Sequence, residues 1–334
     1  MQLRLTHQPL LLALALVIPG QNELAGADPA LAPLPKSVTA PAGNPTTAAK
    51  VELGKLLFFD PRLSGDNKMS CATCHVPDKA FGDGLPRGKG ANNKTLSRNS
   101  QTVLNVGFYS TFFWDGRAKS LEEQALGPIE SPDEMNQNIN ELVGELTAIP
   151  AYTGRFQKVF GEEIKAENIA KALAAFQRTL VTRNSPLDRY LAGDEDALSA
   201  LAKQGLELFR GEADCIRCHH GPLLSDGKFY RLGVGLQDNG RGAITGKRDD
   251  LYKFRTPSLR DVARTGPYMH DGSLKTLFDV VQFYYRDAAS RGPEGLKLDV
   301  EPLLGQSFSE IDAIVEFLRS LDGELPKVVA PKLP

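Results

Sequence analysis

Two short stretches of this chain decide its fold: Cys71-Ala72-Thr73-Cys74-His75 and Cys215-Ile216-Arg217-Cys218-His219. Cys-x-x-Cys-His is the attachment signature of a c-type haem. Two thiols at this spacing reach the two vinyl groups of the porphyrin, and the histidine that follows is held under the iron as an axial ligand. Each stretch therefore predicts one covalently bound haem c, with its two cysteines as anchors and its histidine as the proximal ligand.

Other chemistries of paired cysteines account for less of this pattern. The chain has four cysteines, and the two stretches use all of them. The alternatives are a disulfide, a zinc knuckle and a thioredoxin-like redox pair. A zinc site made of all four thiolates leaves both histidines unexplained. Two covalent haem c groups are therefore the prediction.

The N-terminus reads as an export signal over residues 1–27. Arg4 supplies the positive end, residues 10–18 form an apolar run, and Ala25-Gly26-Ala27 fits a small-residue cleavage site. The apolar run is shorter than the about 20 residues that span a bilayer, which favours cleavage over a membrane anchor. Export agrees with the haem motifs, because bacteria attach c-type haems outside the cytosol. We expect a periplasmic protein with no membrane span.

The overall composition is that of a soluble globular protein. Lys and Arg number 39 against 41 Asp and Glu, so the formal net charge is −2, and 41% of the residues are hydrophobic. A nucleic-acid binder needs a clear basic excess, which this chain lacks. The length of 334 residues suggests about two domains, each large enough for its own core.

The chain repeats itself at the scale of a domain. The best match pairs Phe113-Trp114-Asp115-Gly116 with Met269-His270-Asp271-Gly272. Three further pairs of segments match in the same order: 53–58 with 204–209, 81–84 with 224–227 and, more loosely, 102–106 with 256–259. Because each copy carries one haem motif, the repeat indicates two similar haem domains in tandem.

Each half ends in a stretch with apolar residues at helical spacing, over 166–181 and over 309–321. The second stretch begins at a serine cap and is followed by Gly323. Little of the sequence reads as strand. We predict a mainly α fold of two cytochrome c-like domains. The expected segments are a flexible leader at 28–47, the N-terminal domain at 48–190, the C-terminal domain at 191–323 and a tail at 324–334.

The second axial position of each iron distinguishes the two halves. With the two Asp-Gly motifs in register, Pro128 stands where the other half has Tyr284. Proline has no ligating side chain, whereas a tyrosine phenolate binds ferric iron. No histidine lies between residues 76 and 218, so the first half cannot supply its own distal histidine. The sequence predicts an open N-terminal haem and a C-terminal haem ligated by histidine and tyrosine.

Methionines leave alternatives open at both irons. Met69 and Met135 are the sulfur ligands available to the first half, although Met69 is too close to its anchor to reach the opposite face easily. In the second half Met269 competes with Tyr284, and Tyr285 stands directly beside it. Register favours Tyr284.

These residues closely resemble the bacterial di-haem cytochrome c peroxidase/MauG family over roughly residues 48–323. Beyond the haem motifs, the likeness rests on five segments: Phe113 to Arg117, Gln124 with Gly127-Pro128, Glu134-Met135-Asn136, Arg255 to Arg260 and Pro267 to Gly272. The resemblance implies that hydrogen peroxide is reduced at the N-terminal haem, while the C-terminal haem exchanges electrons with it and with an outside donor.

The resemblance also implies roles for individual residues. Gln124, Pro128 and Glu134 would line the distal pocket, with Glu134 as the acid–base group and Asp133 as its competitor. Trp114, the single tryptophan, would lie between the two haems as a relay rather than serve only in core packing. A calcium ion near the domain junction would be bound by three residues, two of them through backbone carbonyls: Asn99, Thr265 and Pro267.

Two departures from the ordinary peroxidase pattern point to the MauG-like branch. Ala91 falls where many members carry a histidine that caps the peroxidatic iron, and Tyr284 replaces the methionine ligand of the C-terminal haem. A hard, anionic tyrosinate lowers the potential of that haem and favours its oxidised states. The MauG-like branch oxidises side chains of a partner protein, which is the function that we predict.

Two other functions remain open at this point. One is peroxide detoxification with electrons from a small cytochrome c or copper protein. The other is a non-enzymatic di-haem electron carrier, which would have both axial positions of each iron filled.

Overall fold

The computed structural model describes residues 30–286, 292, 293, 295–301, 303 and 307–334. The predicted export signal lies outside these residues. Within them, the backbone forms eleven α-helices and one two-stranded sheet, connected by long loops and 3₁₀ turns. The mainly α prediction is confirmed. None of the helices in this part of the chain is long and apolar enough to cross a membrane.

The helices divide between the two halves of the chain. The first half contains α1 (Ala48–Phe58), α2 (Cys71–Cys74), α3 (Leu121–Glu130), α4 (Ile139–Thr147), α5 (Pro150–Phe160) and α6 (Ala166–Gln177). The second half contains α7 (Pro186–Leu191), α8 (Ala200–Arg210), α9 (Gly242–Thr245), α10 (Leu277–Arg286) and α11 (Phe308–Arg319). The strands β1 (Phe229–Tyr230) and β2 (Phe254–Arg255) pair antiparallel. The 3₁₀ turns are Pro61–Leu63, Pro77–Lys79, Ala91–Asn93, Val106–Phe108, Glu195–Ala197, Cys215–Arg217, Arg248–Asp250 and Val262–Arg264.

The two helices predicted from periodicity both form, with different ends. The first, α6, ends at Gln177 instead of 181, where the N–H groups of Thr179 and Leu180 donate to the carbonyl oxygens of Phe176 and Gln177, three residues back instead of four. The second, α11, begins at Phe308, and its cap is Ser307 rather than Ser309. Ser307 forms a capping box with Glu310, which satisfies backbone donors of the first turn.

A close pair of helices forms the centre of each half. Gly54 of α1 faces α6, where a Cβ atom would lie 1.9 Å from the carbonyl oxygen of Ala172. Gly205 of α8 faces α11 in the same way, 1.9 Å from the carbonyl oxygen of Ala313. Only glycine permits this approach of two backbones. Each pair contributes to its own hydrophobic core.

The internal repeat extends to backbone conformation. Left-handed φ angles recur at Phe113 and Met269 (65° and 70°) and at Gly116 and Gly272 (69° and 65°). One predicted match is shifted: Thr102 corresponds to Ser258, not to Thr256. The hydroxyl groups of Thr102 and Ser258 donate to the carbonyl oxygens of Ala80 and Leu223, respectively, just before the left-handed residues Phe81 and Leu224.

The predicted flexible leader is held by three buried residues, Leu31, Leu34 and Asn44, although most of residues 30–47 are exposed. Leu31 is buried in the core of the second half and pairs with Gly221. Farther along, Asn44 is buried against α6, and its amide donates to the carbonyl oxygen of Lys171 at 2.9 Å. Residues 30–47 therefore run from the second half to the first. Buried apolar side chains and hydrogen-bonded polar groups hold this segment in place.

The change from one core to the other comes before the predicted boundary at residue 190. Leu180 is the last member of the first core and Leu187, in α7, belongs to the second. The tail crosses back: Glu324 pairs with Arg183, and Leu325 packs against the first core. Both ends of the described chain thus contact the half to which they do not belong in sequence.

Candidate di-haem site

The first haem motif presents its histidine with a fixed ring orientation. The two cysteines lie in α2, whose N-cap is Ser70. The Nδ1 atom of His75 lies 3.2 Å from the carbonyl oxygen of Phe81. Donation from Nδ1 leaves Nε2 free as the iron ligand, and such a bond raises the basicity of the ring. The left-handed residue Phe81 turns its carbonyl towards the ring.

The second motif is built in the same way. Cys215 begins a 3₁₀ turn, and the Nδ1 atom of His219 lies 2.9 Å from the carbonyl oxygen of Leu224. Burial lowers the pKa of both His75 and His219, which keeps the imidazoles in the neutral form that binds iron. No disulfide joins the four cysteines, all of which the structure describes, and the two pairs lie in separate halves. The described residues hold no cluster of three or more His, Cys, Asp or Glu side chains that could bind a metal ion, so a single site of all four thiolates is not formed.

One continuous cavity of about 1240 Å³ joins the two motifs. Its volume exceeds the roughly 300–1,000 Å³ of a single small-molecule site. The cavity lining includes every predicted site residue: Cys71, Cys74, His75, Asn99, Trp114, Gln124, Pro128, Glu134, Cys215, Cys218, His219, Thr265, Pro267 and Tyr284. A mostly apolar cavity with a ligating histidine and two thiols in each half fits two covalent haems.

Pro128 and Tyr284 occupy the same place in corresponding helices. Each is the eighth residue of its helix, Pro128 in α3 and Tyr284 in α10. Tyr284 lines the cavity together with Cys215 and Cys218 of the second haem motif. Burial raises the pKa of its hydroxyl group. Tyr285 also lines the cavity. It packs in the second core as well, and its hydroxyl has no hydrogen-bond partner among the described residues.

The two competing methionines of the first half and Met269 also line the cavity. Met135 packs in the first core as well, 6% exposed. Met269 corresponds to Phe113, a residue type that does not ligate iron, and shares its left-handed backbone. The geometry does not exclude Met269, so the choice of Tyr284 stays a prediction.

Glu134 and Asp133 both line the cavity but differ in burial. Asp133 is exposed and forms an ion pair with Lys94 on the surface. Glu134 is half-buried against the cavity, and burial raises its pKa, opposed mainly by the charge of Arg117. A carboxyl group with a raised pKa is better suited to give and take protons near neutral pH. The backbone N–H of Ala91 donates to the carbonyl oxygen of Glu134 at 2.6 Å, so the loop that lacks the capping histidine supports this segment.

Trp114 lies at the junction of the halves. Its Nε1 atom donates to the carbonyl oxygen of Asn99 at 2.9 Å. Its ring meets that of His270 edge-on, with centroids 6.4 Å apart. His270 is stacked on Phe254 at 3.6 Å, and its buried Nε2 has no hydrogen-bond partner among the described residues. Rings from both halves thus form one aromatic contact between the two motifs.

A charged triad at this junction has no counterpart in the sequence prediction. Arg98 donates to Asp238 of the second half through Nε and Nη2, at 2.6 and 2.9 Å, and to Asp115 through Nη1 at 2.6 Å. Asp115 is 2% exposed and also pairs with Arg117. The motif Phe113 to Arg117 pointed to part of this group. Arg98 and Asp238 have no such signal, because their partners lie far away in sequence.

The predicted calcium residues lie at the same junction, where Asn99, Thr265 and Pro267 line the cavity. The side-chain amide of Asn99 donates to the carbonyl oxygen of Leu85 at 2.9 Å. Calcium binding by these residues stays a prediction.

Fold and site together define a tandem cytochrome c-like protein with two haem sites of unequal character. The di-haem cytochrome c peroxidase family matches residues 48–196. The chain is 42% identical to the methylamine utilization protein MauG of Methylophilus methylotrophus, over 90% of both chains. It is 39% identical to the cytochrome c551 peroxidase of Pseudomonas aeruginosa, over 90% of this chain and 87% of the relative.

A solved structure agrees with these matches. The crystal structure of a MauG-like protein associated with microbial copper homeostasis has a TM-score of 0.79 and 33% identity, and the match covers 87% of this chain and 95% of that chain. The protein belongs to the di-haem cytochrome c peroxidase family. It is therefore a di-haem oxidoreductase with two c-type haems, and the MauG match supports the MauG-like branch.

Proposed function

We propose that this protein uses hydrogen peroxide at the N-terminal haem to oxidise a partner protein, with a C-terminal haem ligated by His219 and Tyr284. The observation that carries the proposal is the difference between Pro128 and Tyr284 at one position of corresponding helices. A side chain that cannot ligate leaves room for peroxide opposite His75, whereas a phenol in the other half fills the second axial position.

The chain's own residues suit the cleavage of peroxide. When bound, the two haems would supply the iron that breaks the O–O bond and the two electrons that the reaction consumes. Glu134, half-buried at the cavity, would accept the proton of the inner peroxide oxygen and pass it to the outer oxygen, which leaves as water. Gln124 lies on α3 one turn before Pro128 and would orient the peroxide by hydrogen bonding. Trp114, between the motifs, would relay the second oxidising equivalent.

The spectrum of the resting diferric protein tests the unequal ligation. We expect one high-spin and one low-spin haem, and the absence of a high-spin signal would contradict peroxide binding at an open iron. Tyr284→Phe should alter the low-spin spectrum. Tyr285→Phe is the matched control, because it removes a neighbouring hydroxyl that has no partner in the described part of the chain. Equal spectra for wild type and Tyr284→Phe would overturn the ligand assignment.

Detoxification of peroxide is the second candidate, favoured by the match to a cytochrome c551 peroxidase. The two functions differ in the state that peroxide produces. Protein oxidation predicts that peroxide added to the diferric protein gives a long-lived state in which both haems are oxidised further. Rapid turnover with reduced cytochrome c, and only after pre-reduction of the protein, would favour detoxification instead. Export to the periplasm and the calcium ion remain parts of the proposal.

A further inference from the structure

Arg255 holds a buried positive charge for which the described residues provide no ion-pair partner. The residue is 4% exposed. Its guanidinium makes two long contacts, from Nε to the carbonyl oxygen of Phe113 at 3.4 Å and from Nη1 to that of Thr256 at 3.5 Å. A buried charge is unfavourable unless it is paired and hydrogen-bonded. The contacts that the described chain gives to Arg255 are too weak for this purpose.

The other buried arginines each have short ion pairs or hydrogen bonds, although Nη1 of Arg178 has no hydrogen-bond partner among the described residues. Arg178 pairs with Glu122 at 2.9 Å, and Arg260 pairs with Asp188 at the same distance. Arg231, equally buried at 4%, donates to three backbone carbonyl oxygens at 2.6 to 2.8 Å. Arg255 differs from all three, and it also lines the cavity between the haem motifs. An anion within the cavity would therefore complete its environment.

The guanidinium is held firmly in place. It lies over the ring of Tyr109 at 3.9 Å, and the Tyr109 hydroxyl accepts the backbone N–H of Ser258 at 2.6 Å. The backbone N–H of Arg255 itself donates to the carbonyl oxygen of Trp114 at 2.8 Å. A planar guanidinium with a fixed orientation is suited to bind a carboxylate with two parallel hydrogen bonds.

The internal repeat gives this position a counterpart. The register that pairs Trp114 with His270 also pairs Asn99 with Arg255. The backbone agrees, because Asn99 N–H donates to the carbonyl oxygen of His270 at 2.7 Å, as Arg255 N–H does to that of Trp114. Asn99 is a predicted calcium ligand. One half thus offers an amide for a metal cation at the junction, and the other half offers a cationic side chain.

We propose that Arg255 binds a propionate carboxylate of the haems in this cavity, so that the second half supplies from its own chain a positive charge at the junction. The proposal rests on the two haems that the family implies and not on the identity of the oxidised partner. Loss of this charge leaves a carboxylate unpaired near the iron, which favours the oxidised haem.

Redox titration of the haem-loaded protein tests this pairing. In Arg255→Gln, the reduction potential of one haem should fall, and the carboxylate band of isotope-labelled haem propionates should shift in redox-difference infrared spectra. Arg319→Gln, an exposed arginine of α11 that does not line the cavity, should change neither quantity. Unchanged potentials together with unchanged carboxylate bands in Arg255→Gln would overturn the proposal.

A conservative variant keeps the test decisive if Arg255→Gln does not take up haem. Arg255→Lys keeps the charge but loses the two parallel donors. We expect it to retain most of the wild-type potential and still to shift the carboxylate band. An unshifted band in Arg255→Lys would show that the guanidinium does not contact the propionate. Neither variant touches Glu134 or Tyr284, so a failure here is distinguishable from a failure of the proposed function.

Discussion

The two halves of the molecule share a frame and differ in what the frame holds. Gly54 and Gly205 allow the same close approach of two helices, and each proximal histidine lies against a carbonyl oxygen of a left-handed residue. At the cavity, by contrast, Pro128 occupies in α3 the position that Tyr284 occupies in α10. Asn99 and Arg255, which also correspond, differ as well. The positions that the backbone requires are alike, whereas the positions that face the haems have diverged. Under the proposed function, this divergence at the cavity makes one iron reactive and lets the other store oxidising equivalents.

The largest expected effect concerns Glu134, the proposed proton-transfer group of the first half. Glu134→Gln keeps the size and hydrogen-bonding shape of the side chain but cannot carry a proton between the peroxide oxygens. Peroxide turnover should fall by about 10²–10⁴-fold, the usual contribution of a positioned acid–base group. Stopped-flow measurement of the reaction of the diferric protein with peroxide gives this rate directly.

Asp133→Asn is the matched control for Glu134→Gln. Asp133 is the neighbouring carboxylate, but it is exposed and pairs with Lys94 on the surface. Surface pairs of this kind contribute about 0–1 kcal/mol to stability. We therefore expect near wild-type turnover. A large loss in Asp133→Asn with little loss in Glu134→Gln would exchange the two assignments.

The sequence predicted the parts of this arrangement that depend on local pattern. The haem anchors follow from spacing alone, and the Asp-Gly motifs set the register that places Pro128 and Tyr284 at one helical position. The same approach misplaced Thr102 by two residues: it was matched to Thr256 by residue type, whereas its counterpart is Ser258. The hydrogen bonds that Thr102 and Ser258 donate to Ala80 and Leu223, rather than the residue types, define the correspondence.

Features that depend on distant partners escaped prediction. The leader contains the Pro, Ala and Thr typical of a flexible segment, but Leu31 finds a place in the core of the second half. Arg98 is one arginine among many in sequence, and only the fold brings Asp238 to it. Burial of this kind is decided by tertiary contacts that are 140 or more residues apart along the chain.

The shared frame should respond equally in both halves to an added methyl group. Gly54→Ala and Gly205→Ala each place a Cβ 1.9 Å from a carbonyl oxygen of the facing helix, so the helices must separate. Overpacking of this kind costs typically about 1–3 kcal/mol, and the rigid neighbour favours the upper end. Chemical denaturation of the haem-loaded variants measures the loss.

Helix propensity alone would predict that alanine in place of glycine increases stability, the opposite of the loss expected at Gly54 and Gly205. Glycines elsewhere in helices therefore provide a control. Gly144 in α4 and Gly154 in α5 have no atom within 4 Å of an added Cβ. Alanine at either position should raise stability by up to about 1 kcal/mol. If Gly54→Ala is as harmless as Gly144→Ala while Gly205→Ala is not, the two helix pairs do not share one geometry.

The last effect that we expect is a pH dependence of stability that arises from Asp322 in the second half. Asp322 corresponds to Val181 of the first half. The residues before them, Leu321 and Leu180, match because their carbonyl oxygens accept the backbone N–H groups of Asp261 and Asn105, respectively. Burial raises the pKa of Asp322 to about 6, although Arg264 lies 3.3 Å away, and its Oδ1 has no hydrogen-bond partner in the described chain. The folded state therefore holds this proton more tightly than the unfolded chain, whose carboxyl has the ordinary pKa of 3.8.

The sign of the effect follows from linkage. The carboxyl contributes stability below pH 3.8 that is lost as the pH rises through about 6. Asp322→Asn should remove this slope and, above pH 6, exceed the wild type in unfolding free energy by roughly 1–3 kcal/mol. Denaturation midpoints at about pH 3, 5 and 7, which lie below, within and above the titration, measure it. Asp312→Asn, an exposed carboxylate on α11, should leave the slope unchanged. A wild-type slope in Asp322→Asn would move the origin of the pH dependence to Asp261, the other carboxylate whose pKa burial raises at this junction.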